Sequence, residues 1–166
     1  MKILLITGGN SSEREVSLIS ATNVEQALIE NGHTVKLYDL VDGYKPIVEL
    51  AKNFDVLFPV LHGEEGEGGK LHKFLASLNK PIVGTRNYKG LKEAWYKIPF
   101  KKYCDKNGIE TSPWKIVKSK QDILKFGFPS VLKASSGGSA REVTIIKSEK
   151  INTYKNEAKN LSQFDL

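Results

Sequence analysis

KILLITGGNSSEREVS, residues 2–17, is the stretch on which the fold turns. Its first six residues form a short apolar run halted at Gly8-Gly9, the pattern of a buried strand ended by a turn. Ser12-Glu13-Arg14-Glu15 then fits a capping box, with Ser12 closing the first helical turn and Glu15 reaching back to the cap. Behind it Val16, Ile19, Val24, Ala27 and Leu28 recur at helical spacing until Asn31-Gly32, a natural stop.

The same alternation continues outward from this stretch. Residues 33–40 read as a second strand and 46–52 as a short helix. Residues 55–61 (DVLFPVL) read as a third strand, closed by His62-Gly63 and a glycine-rich loop up to Gly69. A helix over 69–78 and a fourth short strand over 81–85 follow. Strands alternating with helices predict βαβ units and a parallel sheet. Ligands of such sheets bind beyond the carboxyl ends of the strands, where both glycine-rich stretches, 8–12 and 62–69, fall.

After about residue 92 the pattern changes. A helical period over 93–107 is interrupted by Pro99, which a first turn tolerates and a helix interior does not, so the helix is expected to begin near Ile98. Residues 114–118 read as a strand, 120–126 as a short helix, 128–134 and 142–147 as strands, and 148–161 as a polar helix. The Ser/Gly turn over 135–140 would join a hairpin whose tip could lie on a phosphate.

Composition narrows the function. The 166 residues are 40% hydrophobic and 27% charged, the balance of a globular chain rather than a disordered one. Cys104 is the single cysteine, which excludes an internal disulfide and suits a reducing cytosol. The apolar run over 3–6 is too short for a signal peptide or a membrane span, so a soluble cytoplasmic protein is expected. The net charge of +6 is uneven: 1–88 carry −2, 89–133 carry +7 and 134–166 carry +1. The basic middle could handle anions or could be a solvated helix face. Twenty-two of the 25 basic residues are lysine, and no nucleic-acid motif is present.

GxxxxGK[ST], the GxGxxG spacing and HExxH are all missing from the chain. On spacing alone His33, His62 and His72 read as turn or surface residues and Cys104 as a buried thiol. What stands out is a combination in order. Gly8-Gly9-Asn-Ser-Ser-Glu-Arg-Glu-Val-Ser17 follows strand one. Phe58-Pro-Val-Leu-His62-Gly63, then Gly66-Glu-Gly-Gly69, follow strand three. Val131-Leu-Lys133 precedes Gly137-Gly138-Ser139. Together these resemble the D-alanine–D-alanine ligases of the ATP-grasp superfamily, over essentially the whole chain.

The resemblance implies an α/β protein with a Rossmann-like parallel-sheet domain over 1–92 and an incomplete α+β ATP-grasp central domain over 93–166. It implies ATP-dependent joining of two D-alanines through an acyl phosphate, for peptidoglycan precursors. Phosphorylation makes a carboxylate electrophilic, and the transfer needs positioning and cations more than covalent help. By the resemblance Glu15 holds the ammonium of the first D-alanine; its other reading is the capping-box glutamate. His62 edges the same pocket, Lys97 and Lys133 contact ATP phosphates, and Ser139 belongs to the lid loop, with a catalytic part shared by Glu15 and Ser139. The family usually has Ser-Met-Asp-Lys where Ala94-Trp95-Tyr96-Lys97 stands, and a proline where Ala134 stands.

Family members run well past this length, and the Mg2+ ligands are expected in that further part. The chain alone is therefore expected to make no dipeptide. A homodimer is expected from the unpaired edges of an unfinished sheet. The alternative is a non-catalytic substrate- or nucleotide-binding module derived from the same family. A polyanion binder using the 89–133 lysines is a weaker third reading.

Overall fold

The computed structural model describes residues 1–138 and 143–147. The chain forms two compact units, Met1–Trp95 and a second beginning at Tyr96. The first unit runs β1 (Lys2–Thr7), α1 (Arg14–Glu30), β2 (Thr34–Asp39), a 3-10 turn (Leu40–Asp42), α2 (Lys45–Ala51), β3 (Val56–Pro59), α3 (Glu64–Glu67), α4 (Lys70–Ala76) and α5 (Tyr88–Trp95). The three strands are parallel in the order β2-β1-β3, with Ile3 opposite both Val35 and Val56. The expected fourth strand is reduced to one parallel bridge, Leu57 to Ile82. Two bonds complete it: Leu57 N–H donates to the Pro81 carbonyl and Val83 N–H to the Leu57 carbonyl.

β1 lies in the middle, and Ile3 to Thr7 are all buried. A continuous apolar run suits a strand covered on both faces, where alternation would leave polar groups inside. Leu4, Ile6 and Leu57 pack with Ile47 of α2 and with Leu71 and Leu75 of α4, all fully buried. The buried residues of α1 are small, Ser17 and Ala21. They let that helix lie close on the sheet, and the Thr7 hydroxyl donates to the Ser17 carbonyl at 2.8 Å.

The second unit contains α6 (Lys97–Asn107), α7 (Lys120–Phe126) and the antiparallel pair β4 (Ser130–Lys133) and β5 (Val143–Ile146). Pro99 sits in the first turn of α6, after an extended Tyr96 separates that helix from α5. Ile123, Leu132 and Ile146 form a small core, with Val117 and Phe128 packed against it.

The strand expected over 114–118 is not formed. Val117 joins the core, the Trp114 indole N–H donates to Asp105, and Lys118 N–H donates to Asp122, so this segment's polar groups bond to side chains instead of a ladder. The helix expected over 148–161 lies outside the described residues.

Candidate functional site

The loop after β1 requires its glycines. Gly8 and Gly9 have φ of 73° and 76°, and a Cβ on either would fall 2.1 Å from an Asp39 carboxylate oxygen or 2.2 Å from a Glu65 oxygen. Asp39, at the carboxyl end of β2, accepts from Gly9 N–H and takes both Arg14 Nη atoms, at 2.8 and 2.5 Å. Arg14 Nη1 also donates to the Gly9 carbonyl at 2.9 Å. The Arg14 guanidinium, with the amides of Val41 and Gly9, holds the Asp39 carboxyl at about 2 against the opposing effect of burial. Arg14 is in turn pushed above its usual value by the same bond.

The helix entry differs from the expected capping box. Glu13, not Ser12, is the N-cap of α1, and its own side chain makes no capping hydrogen bond. Ser11 takes the turn-forming role: its Oγ accepts from Glu13 N–H at 3.2 Å and its carbonyl from Arg14 N–H at 3.1 Å. The Ser11 hydroxyl also donates to the His62 carbonyl at 3.0 Å, tying the first glycine loop to the second. Asn10 N–H adds a second tie, to Glu65 at 2.5 Å.

His62 is seated on α1. Its N–H donates to Ser17 Oγ at 2.9 Å, and Ser17 Oγ donates to the Glu13 carbonyl at 3.2 Å. Its ring Nε2 lies 3.0 Å from Ser20 Oγ and its Nδ1 lies 3.9 Å from Glu67 Oε1. The ring is 39% exposed, so one edge faces solvent. The loop beyond it depends on Gly66, where a Cβ would fall 2.2 Å from the Leu61 carbonyl oxygen.

The two candidate carboxylates of this loop are placed differently. Glu15 is exposed, in the first turn of α1, roughly 140–160° round the helix axis from Ser17 and Ser20. Glu13 is 6% exposed and shares the face of Ser17, and a Cβ on Gly63 would lie 3.8 Å from its Cβ. The resemblance assigns the ammonium-holding role to Glu15, and the capping-box spacing gives the same residue a structural role; Glu13 enters neither reading. In the structure α1 begins with Glu13 at its cap, buried, and Glu15 in its first turn, exposed.

In the second unit Lys97 is fixed to the turn after β4. Its N–H donates to the Ser135 carbonyl at 2.8 Å and its Nζ to the Gly137 carbonyl at 2.9 Å. Lys133 is exposed on the outer face of the hairpin, paired across from Val143. Beside them Val131 and Ile145 form another cross-strand pair, 52% and 58% exposed. Ser130, Leu132, Thr144 and Ile146 fill the inner face. An apolar platform with a cation at its end suits a flat ring carrying anionic groups. Ser139 lies outside the described residues.

Among the described residues no group of three or more His, Cys, Asp or Glu side chains is placed to hold a metal ion. No helix among them is long and apolar enough to cross a membrane.

No family model matches the chain. It is 38% identical over 156 residues to the D-alanine–D-alanine ligase of Maridesulfovibrio salexigens, covering 89% of this chain and 49% of that protein. It is 37% identical over 155 residues to the D-alanine–D-alanine ligase of Halalkalibacterium halodurans, covering 90% and 50%. The crystal structure of D-alanine–D-alanine ligase from Bacillus anthracis superimposes with a TM-score of 0.79 at 30% identity, over 99% of this chain and 53% of that one. The same enzyme complexed with ATP gives 0.73 at 29% identity. The chain thus spans about half the length of the curated relatives it matches. In sequence and in fold the chain is a homologue of the N-terminal part of the D-alanine–D-alanine ligases; it is an α/β protein, and its structural neighbours are ligases of the ATP-grasp class.

Proposed function

We propose that this chain supplies the amino-acid pocket and part of the nucleotide site of an ATP-dependent ligase. Its reaction joins two D-alanines for peptidoglycan precursors in the cytoplasm. The observation that carries the reading is the seating of His62 against Ser11, Ser17 and Ser20. It welds together the two loops that the sequence shares with the ligases.

In this reading ATP phosphorylates the carboxylate of the first D-alanine, and the amine of the second displaces phosphate from the acyl carbon. Of the first unit's residues, His62 edges the amino-acid pocket and a carboxylate holds the substrate ammonium. Glu13 suits that task better than Glu15, because it is buried beside Gly63, whereas Glu15 is exposed on the far side of the helix. In the second unit Lys133 and Lys97 neutralise phosphate charge, Val131 and Ile145 floor the base, and Ser139 belongs to the lid.

Lys97 is already bonded to the turn carbonyl of Gly137, so it also holds the turn's shape. Mg2+ would offset phosphate charge, but the described residues offer it no ligand set. A homodimer paired through the edges of the two-stranded sheet completes the proposal.

Calorimetry on the 166-residue chain tests the reading. D-alanine is expected to bind and L-alanine to bind at least tenfold more weakly. Glu13→Gln is expected to weaken D-alanine by about tenfold, about 1.4 kcal/mol, and Glu15→Gln by much less. Equal binding of both enantiomers, or none, sinks the reading. Binding of D-alanine and ATP without ADP release in the presence of Mg2+ is expected of these residues alone; the same behaviour in the longest natural form of the protein identifies a binding module instead.

A further inference from the structure

The imidazole of His62 has a neighbour at each nitrogen, and the two neighbours differ in kind. Ser20 Oγ is 3.0 Å from Nε2, and Glu67 Oε1 is 3.9 Å from Nδ1. A neutral imidazole carries one N–H and one lone pair. An ionised carboxylate can only accept, while a hydroxyl can donate or accept. The lone pair of His62 therefore avoids Glu67 and the proton faces it, which leaves Nε2 to accept from the Ser20 hydroxyl.

The conformation of Ser20 agrees. On the same helix Ser17 and Thr22 direct their hydroxyls back to the carbonyls four residues earlier, of Glu13 and Leu18. That back-bond is the ordinary outlet for a helical hydroxyl. Ser20 instead turns across to the ring. At 3.9 Å the Nδ1–H is beyond hydrogen-bond reach of Glu67, so the carboxylate orients this proton without consuming it.

We propose that Glu67 and Ser20 hold neutral His62 as its Nδ1–H tautomer, so that the ring meets a ligand as a hydrogen-bond donor, suited to the carboxylate of an amino acid and not to its ammonium. The consequence for substrate rests on His62 edging the amino-acid pocket; the tautomer itself does not. Glu67 and Ser20 are positioning residues here, acting through His62.

Long-range proton–nitrogen NMR on the chain labelled with 15N-histidine reads the tautomer directly. In alkaline buffer, with the ring neutral, the nitrogen bearing the proton resonates far upfield of the bare one, and a His62→Asn chain identifies the signals. The wild-type chain is expected to show Nδ1 protonated. Glu67→Ala is expected to exchange the two nitrogen signals, the proton moving to Nε2 to donate to Ser20. Ser20→Ala is expected to give averaged shifts, and Ser20→Thr, which keeps the hydroxyl, the wild-type pattern. An Nε2–H ring in the wild type, or a pattern that Glu67→Ala leaves unchanged, overturns the proposal. Failure of D-alanine to bind a chain with the expected tautomer sinks the functional reading and leaves this one standing.

Discussion

β1 and β4 are both short strands, yet they do opposite work. β1 is buried from Ile3 to Thr7, whereas β4 alternates, with Ser130 and Leu132 inside and Val131 and Lys133 outside. The first strand spends its side chains on a two-sided core and leaves recognition to the loops beyond its end. The second spends half its side chains on a small core and keeps the other half for whatever lies on its outer face. The lesson is that the same residue type is structural in one strand and available for recognition in the other, according to how many faces are covered.

The sharpest test of that difference is truncation on each strand system. Leu57→Ala, at a fully buried site, is expected to destabilise the first unit by about 3–4 kcal/mol in denaturant unfolding, while Val131→Ala on the open face costs less than about 0.5 kcal/mol. Comparable losses would mean that the outer face of β4 is covered after all. Next in size, Gly66→Ala forces a Cβ onto the Leu61 carbonyl and is expected to cost about 2–3 kcal/mol and to abolish D-alanine binding. A variant that binds normally would show that the loop is less tightly fixed than described.

Asp39→Asn is expected to cost about 2 kcal/mol at neutral pH. The sign follows from the depressed carboxyl: a group held at about 2 when folded and near its ordinary value of about 3.9 when unfolded stabilises above that value. The contribution is lost as pH falls from about 5 toward 2, so thermal unfolding followed over this window should be flatter in Asp39→Asn. The smallest expected effect is on binding alone. Lys133→Ala should weaken ATP by about tenfold, about 1.4 kcal/mol, with the melting temperature unchanged. A drop in melting temperature would place Lys133 in the scaffold.

Much of the fold could be read from residues 1–85, because apolar runs punctuated by Gly8-Gly9, Asn31-Gly32 and His62-Gly63 leave few ways to assign the strands. The site was less legible. The choice between Ser11 and Ser12 as the turn-former depends on a hydroxyl reaching the His62 carbonyl, 51 residues away, and no local pattern carries that information. Residues 114–118 misled for a related reason: β-branched and aromatic residues suit a strand, but a strand also needs a neighbour, and here Asp105 and Asp122 took the polar groups first.

The serines on the inner face of α1 have a thermodynamic consequence. Ser17 and Ser20 anchor both the backbone and the ring of His62, so under the proposed function an incoming amino acid would find that wall already assembled. Little conformational entropy remains to be lost on capture, so association should be fast and discrimination between mirror-image substrates should arise from misfit rather than from failure to close.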